Sequence, residues 1–360
     1  MVKFVVVCSK ADGRIGRIAK WGSVELDHKT PSCMIYTRAG HIPNLTWEVA
    51  TKWLRFVQPP ILQITLPTLY DAQPVIKNYG EGVGKFCGIP SGMPLHLSYT
   101  DPLLRLDGGF NNNKSIAIWS KSGRKNVSAF KVDSFETLLD YDTDKECMSK
   151  RLTKSLNRTV EFVKEITGEN NTSTFLSLGG GFSDSSRQAF AENFAKLPFE
   201  DTEENETENE TNNSNHLPKI ANGPFSPTEI VSLAKLGVDL FDSSFATLLA
   251  EEGKLFQLHP QFPKVPTYSL IDLNDEKKYA DDFVSPFEDC KCYCCLNYTR
   301  GYLQHLRRTN ELLGPILLTM FVINLCTSIF NKIYPQFCNY CFAFFFLNSS
   351  LNFRLFSFLQ

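Results

Sequence analysis

Three cysteines carry the most explicit chemistry in the chain: Cys290, Cys292 and Cys295, in the run C-K-C-Y-C-C. They stand too close together to pair with one another as ordinary disulfides. Thiolates are the preferred donors of a soft cation such as Zn²⁺, and a structural zinc site wants four of them, or three and a His. The alternative is a cluster of free thiols. A second such residue is Asp242, which ends the strand-like run V-D-L-F-D (238–242). A carboxylate there either caps the next turn or faces a ligand, because a barrel binds its ligands at the C-terminal ends of its strands.

The elements that must position Asp242 are written clearly. L-P-K-I-A-N-G (217–223) reads as a strand; Ser226 is an N-cap, Pro227 takes the first helical position and Glu229 completes a capping box. The helix I-V-S-L-A-K-L stops at Gly237, and the next strand runs into Asp242. Upstream, residues 3–8 are a β-branched run that reads as a first strand, punctuated by Gly13 and Gly16. Ser32 to Thr37 is a second strand, Thr46 caps a helix reaching Leu54, and Ile61 to Leu66 is another strand. Alternating strands and helices imply parallel pairing, and with the later unit a (β/α)₈ TIM-like barrel. Lys150 to Ile166 is an amphipathic helix with Leu152, Leu156, Val160, Val163 and Ile166 at helical spacing. Its Lys150, Arg151, Lys154 and Arg158 make either a phosphate-facing strip or a solvated helix face.

Composition bounds the rest. A chain of 360 residues can bury one large core, or one domain with a small appendix. A net charge of −2 gives no global nucleic-acid signature, so any RNA contact needs a local patch or a partner that supplies it. Eleven Cys, clustered late in the chain, do not form a secreted disulfide framework, and the apolar run before Ser9 and Lys10 is too brief for a signal peptide. A reducing, cytoplasmic compartment is expected. Residues 200–216 are acidic, low in complexity and nearly free of apolar side chains; they read as a disordered loop that repels phosphate.

Beyond Cys295 the sequence continues L-N-Y-T-R-G-Y-L-Q-H-L-R-R-T-N-E-L-L-G-P-I-L-L-T-M. This segment, 290–320, resembles the zinc-binding segment of the queuine tRNA-ribosyltransferases (tRNA-guanine transglycosylases). V-G-K-F-C-G-I-P (83–90), the hairpin-like S-I-A-I-W-S-K-S-G-R-K (115–125) and K-R-L-T-K-S-L-N-R-T (150–159) carry the resemblance through the N-terminal half. It implies a barrel domain over residues 1–320 with bound Zn²⁺ on Cys290, Cys292 and Cys295. The family's fourth ligand is a His after a run like L-L-L-M. Here L-L-T-M is followed by Phe321, and His305, Cys294 and Cys326 are the nearest substitutes, none standing in that place.

The catalytic carboxylates are altered as well. In catalytic relatives G-x-D-x-F-D precedes C-V-x-P-T-R and its second Asp attacks the ribose. Here Asp242 is followed by S-S-F-A-T. The second carboxylate lies in D-S-G-G-F-Q; the nearest match is Asp107, in D-G-G-F-N. Asp242 and Asp107 therefore read as relics. The family's G-x-x-x-G-G element is missing before Gly179 to Gly181, and the link from Ile166 to Phe175 is short, as if one strand–helix unit were lost. The resemblance implies a non-catalytic subunit in a heterodimer with a catalytic one, engaging tRNA through the complex while wobble guanine of GUN anticodons is exchanged for queuine. It also implies a cytoplasmic site that extends to peripheral association with the mitochondrial outer membrane. The alternatives are a self-sufficient transglycosylase with Asp242 as nucleophile and Asp107 as acid/base, and a membrane-tethered scaffold.

From Phe321 the composition shifts: residues 321–360 hold 10 of the 29 Phe and only Lys332 and Arg354 as charges. This tail reads as a replacement for the family's last helices, leaving the barrel incomplete at its C-terminus with a ring of exposed apolar surface. A membrane span is disfavoured by Asn324 and by Asn331 to Gln336.

Overall fold

The computed structural model describes residues 1–10, 13–54, 56, 59–103, 130–137, 148–166, 172–177, 188 and 217–356. Three antiparallel strands open the chain: β1 (Lys3–Lys10), β2 (Gly13–Trp21) and β3 (Val24–Thr30). Seven parallel strands follow: β4 (Ser32–Thr37), β5 (Leu62–Thr65), β6 (Leu95–Ser98), β7 (Ser134–Glu136), β8 (Ser173–Phe175), β9 (Ile220–Ala221) and β10 (Leu240–Asp242). Between and after them run α1 (Trp47–Trp53), α2 (Gln73–Tyr79), α3 (Val83–Phe86), α4 (Ser149–Ile166), α5 (Pro227–Lys235) and α6 (Ser244–Glu251).

The large sheet has the order β8-β7-β6-β5-β4-β10-β9. Neighbours in sequence are neighbours in space, and late β10 pairs in parallel with early β4, Leu240 opposite Ser32 and Asp242 opposite Met34. That join of last strand to first is how a consecutively wound barrel closes, whereas an open doubly wound sheet reverses its order part-way. The result is a curled half-barrel of TIM type with β8 and β9 at its edges. The chain between those edges, 178–216 apart from Gln188, lies outside the described residues, as do the Gly179 to Gly181 run, the acidic stretch 200–216, the 115–125 hairpin and Asp107. Among the described residues, α4 lies between β7 and β8 in sequence, and those two strands pair in parallel, Ser134 opposite Ser173.

Residues 3–8 are a strand, but not of the barrel. β1 belongs to the antiparallel sheet, which covers the N-terminal end of the half-barrel. Ile18 and Trp21 of β2 pack on Met34, Ile61 and Leu240, at or near the starts of β4, β5 and β10. Trp21 Nε1 donates to Ser134 Oγ at 2.8 Å. Arg14 of β2 forms a bidentate, fully buried ion pair with Asp239, whose carboxylate also accepts the Lys219 backbone N–H at 2.7 Å. Gly16 of β2 stands between Val6 of β1 and Thr30 of β3, where a Cβ would lie 2.5 Å from the Phe4 ring and 2.9 Å from Thr30 Oγ1.

After α6 the chain makes an antiparallel hairpin, β11 (Lys254–Leu258) and β12 (Tyr268–Asp272), then four helices: α7 (Glu276–Tyr279), α8 (Tyr293–Asn297), α9 (Arg300–Arg308) and α10 (Leu313–Phe356). The composition boundary at Met320 falls inside α10. The expected ring of exposed apolar surface is absent among the described residues, because α10 covers the seam where β10 meets β4. Phe321, Val322, Ile323, Cys326, Ile329, Phe330, Ile333 and Phe337 are buried, and from Val322 through Cys326, Ile329, Phe330 and Ile333 to Phe337 they recur at the spacing of one helix face. Phe330 packs on Phe241 of β10 with ring centroids 5.7 Å apart. Cys326 Sγ lies 3.8 Å from Cys33 Sγ of β4. Leu313–Phe337 is long and apolar enough to cross a membrane, yet 61% of its most apolar window is buried inside the fold.

Candidate metal centre and barrel mouth

The C-terminal ends of the strands converge on a buried polar mouth. Asp242 closes β10, Glu136 closes β7, Asn222 follows β9, and Asp101 stands just past β6. Asn222 Nδ2 donates to Glu136 Oε2 at 2.8 Å and to Ser98 Oγ at 3.3 Å. Gln63 of β5 donates to Ser98 Oγ and Asn222 Oδ1, both at 3.2 Å. Glu136 Oε1 accepts the Tyr99 N–H at 2.7 Å. Burial pushes the Glu136 pKa up to about 7, against partial relief from the Tyr99 N–H, Ser98 and Asn222. Asp101 accepts the Tyr36 hydroxyl at 2.9 and 3.0 Å and Thr65 Oγ1 at 2.9 Å.

Asp242 sits where the sequence puts it, and its oxygens are engaged. Oδ2 accepts the Gly223 N–H at 2.6 Å, and Oδ1 accepts the Ser244 N–H at 2.8 Å and the Ser244 hydroxyl. Burial lifts its pKa to about 6 despite these donors, with a smaller contribution from the nearby Asp101 charge. A nucleophile needs a free lone pair aimed at its target. The D-S-S sequence instead turns this carboxylate onto the first turn of α6. Asp101 and Glu136 are the carboxylates of the mouth that sequence reasoning missed. L-H-L-S-Y-T-D holds an acid three residues past a strand end, a signal that the search for a D-G-G-F pattern passed over.

The three sulfurs do come together. The Sγ atoms of Cys290, Cys292 and Cys295 lie within 4.8 Å of one another. Cys292 is the N-cap of α8, its sulfur accepting the Cys295 N–H at 3.5 Å, so a C-x-x-C turn folds two thiols onto one side. Cys290 reaches them from the preceding turn, where its N–H bonds to the Phe287 carbonyl at 3.2 Å. Without a metal, hydrogen bonds from the Cys292 and Cys295 thiols hold Cys290 down at about 3, and those two thiols rise in consequence. Such a group of sulfurs, one of them ready to be thiolate, is the donor set of a soft cation, and the residues present fit three of zinc's four ligands. None of the proposed substitutes joins them: His305 is exposed beside Tyr302, Cys294 is fully buried and its thiol pushed up by burial, and Cys326 faces Cys33.

Residues 10–334 match the sequence model of the queuine tRNA-ribosyltransferases. The chain belongs to the queuine tRNA-ribosyltransferase family. It is similar to the queuine tRNA-ribosyltransferase accessory subunit 2 of Caenorhabditis elegans, with 43% identity over 351 residues, 89% of this chain and 94% of the relative. The same subunit of Caenorhabditis briggsae is 41% identical over 353 residues, covering 89% and 94%. That of Gallus gallus is 30% identical over 397 residues, covering 91% of this chain and 92% of the relative. The span matched to the queuine tRNA-ribosyltransferase family takes in all the described barrel strands, the sulfur cluster and α10 as far as Tyr334.

Proposed function

We propose that this chain is an accessory, non-catalytic subunit of a queuine tRNA-ribosyltransferase. It pairs with a catalytic subunit in a heterodimer and supports replacement of wobble guanine by queuine in tRNAs with GUN anticodons. The observation that carries the non-catalytic reading is the engagement of Asp242 by Gly223 and Ser244, which leaves the mouth's best-placed carboxylate committed to its own backbone. Asp101 and Glu136 are likewise tied into the wall of the mouth.

A surface suited to the partner lies beside the sulfur cluster. Rings run in sequence from Trp53 to Tyr293 (4.1 Å), Tyr298 (5.9 Å), Tyr302 (5.4 Å) and His305 (6.4 Å). Exposed Leu296 and Phe283 and the cation Lys52 over Trp53 adjoin them. Aromatic side chains such as these carry much of the energy in protein interfaces. On this reading Cys290, Cys292 and Cys295 staple the platform with Zn²⁺, and tRNA is engaged through the complex. The unpaired thiol cluster favours a reducing, cytosolic address, including the cytosolic face of the mitochondrial outer membrane.

The test is labelled-guanine exchange into tRNA by this chain alone, by a catalytic subunit alone and by the two together. Exchange is expected with the pair and not with this chain, and Asp242→Ala in this chain should leave the pair's rate unchanged. Exchange by the isolated chain that Asp242→Ala abolishes would establish the self-sufficient enzyme instead.

A further inference from the structure

Two sulfurs outside the Cys290–Cys295 turn meet beneath α10. Cys33 stands on β4 opposite Phe241 of β10, on the seam itself. Cys326 lies on the buried face of α10, one turn before Phe330, whose ring packs on Phe241. The two Sγ atoms are 3.8 Å apart although 293 positions separate the residues in sequence, and both thiols are free. Cys33 is 7% exposed and Cys326 2%. Around Cys326 the helix spends its polar side chains on itself: Asn324 donates to the Met320 carbonyl at 2.7 Å, Thr327 to that of Asn324 at 2.8 Å and Ser328 to that of Leu325 at 2.7 Å. Among the described residues, apolar packing and the sulfur pair are therefore what join this stretch of α10 to β4.

We propose that Cys33 and Cys326 form a reversible disulfide that locks α10 onto the barrel seam when the surrounding thiol pool becomes oxidised. Such bonds form by thiolate attack on a small-molecule disulfide, through a mixed disulfide. While α10 is seated the pair is at rest: the hydrogen bond with Cys326, burial and, less strongly, the nearby Asp242 charge push the Cys33 thiol well above its ordinary range. When α10 lifts, Cys326, on the moving element, attacks oxidised glutathione and releases one glutathione. As the helix reseats, Cys33 attacks the Cys326 sulfur and expels the second. The two protein thiols are oxidised, one glutathione disulfide is reduced to two thiols, and the two protons pass from the protein thiols to the released glutathiones. An excess of reduced glutathione runs the same exchange backwards. The bond closes a loop that holds nearly the whole barrel, and a long loop gains most from a cross-link because the unlinked chain has most freedom to lose.

The experiment equilibrates the full-length chain anaerobically in glutathione buffers of increasing oxidised fraction. Each sample is alkylated, digested without reduction and mapped by peptide mass. A linked Cys33–Cys326 peptide is expected as the buffer becomes oxidising, and it should vanish on return to reduced glutathione. Deuterium exchange on the same samples reads the lock: the amides of 322–333 should exchange more slowly by roughly tenfold or more in the linked form. The thermal midpoint should rise by roughly 5 °C. Cys326→Ser should remove the linked peptide, the slowed exchange and the rise in midpoint together. The peptide map of the unaltered chain stands whether or not that variant folds. Glutathione adducts without the linked peptide, a linked peptide that forms only in urea, or linkage that leaves the exchange of α10 unchanged would each overturn the proposal.

Discussion

Glu136 offers the sharpest test of the barrel mouth. Its carboxyl is half-buried at the end of β7, and desolvation there holds its pKa at about 7 instead of the ordinary 4.5. A folded-state value raised in this way means that the neutral acid stabilises the fold. That contribution is fully present below the unfolded value and is lost as pH rises through the folded one. The whole difference corresponds to about 3 kcal/mol, of which about 2.5 kcal/mol falls between pH 5 and pH 8.5. Glu136→Gln removes the titration and keeps the shape. Its amide oxygen can still accept the Tyr99 N–H, while its amide nitrogen meets the Asn222 donor that now serves Oε2. The variant should therefore be less stable than the parent at pH 5, by about 1–3 kcal/mol for the lost hydrogen bond. That deficit should shrink or reverse by pH 8.5. Urea unfolding of both proteins, followed by tryptophan fluorescence at a series of pH values, measures it. A stability difference that moves by less than about 0.5 kcal/mol across the range would refute the assignment of a titrating Glu136 held neutral by its surroundings.

Four further outcomes are expected. Asp239→Ala leaves Arg14 charged and buried without its carboxylate, and should cost about 3–5 kcal/mol in urea unfolding. Phe330→Ala opens a cavity between α10 and β10 and should cost about 3–5 kcal/mol, measured the same way; a loss under 1 kcal/mol would show that α10 does not cover the seam. In the metal-free protein at pH 6, iodoacetamide should modify Cys290 ahead of Cys292 and Cys295, and added Zn²⁺ should protect it; peptide mass mapping reads both. Tyr302→Ala, at the exposed end of the ring ladder next to His305, should weaken association with a catalytic subunit by roughly 30-fold in calorimetry, while a substitution of exposed Val75 should not.

Much of this fold is legible where local chemistry and tertiary packing agree. Thr46 caps α1 by accepting the Val49 N–H at 3.3 Å, and Ser226 with Glu229 forms the full capping box, Ser226 N–H to Glu229 Oε2 being 2.8 Å. Gly237 takes the left-handed backbone at φ 88° that ends α5, and β10 delivers Asp242 to the mouth as its sequence implies. The C-x-C-x-x-C spacing likewise became three adjacent sulfurs.

What stayed hidden had no local signature. Gly13 and Gly16 read as punctuation and the charged V-E-L-D-H-K-T carries no barrel-strand signal, because both suit an antiparallel cap with one wet face, not a buried barrel strand. The Phe321 region looked alien by composition. Composition does not say which face an apolar helix will bury, and here the uncovered seam of β4 and β10 accepts it. Asp101 lacked its expected neighbours in sequence and is recognisable as part of the mouth only because Tyr36 and Thr65, from two other strands, meet it there.

The place of α10 bears on how the protein comes to be made. β4 and β10 are separated by some two hundred residues of chain, and the helix that seals their join follows every strand in the order of synthesis. Until it leaves the ribosome, the emerging polypeptide carries an open apolar furrow with nothing of its own to lay in it, the condition under which nascent chains rely on chaperones. Ribosome-bound intermediates halted before Phe321 should accordingly be the stage at which this subunit is most readily lost to aggregation.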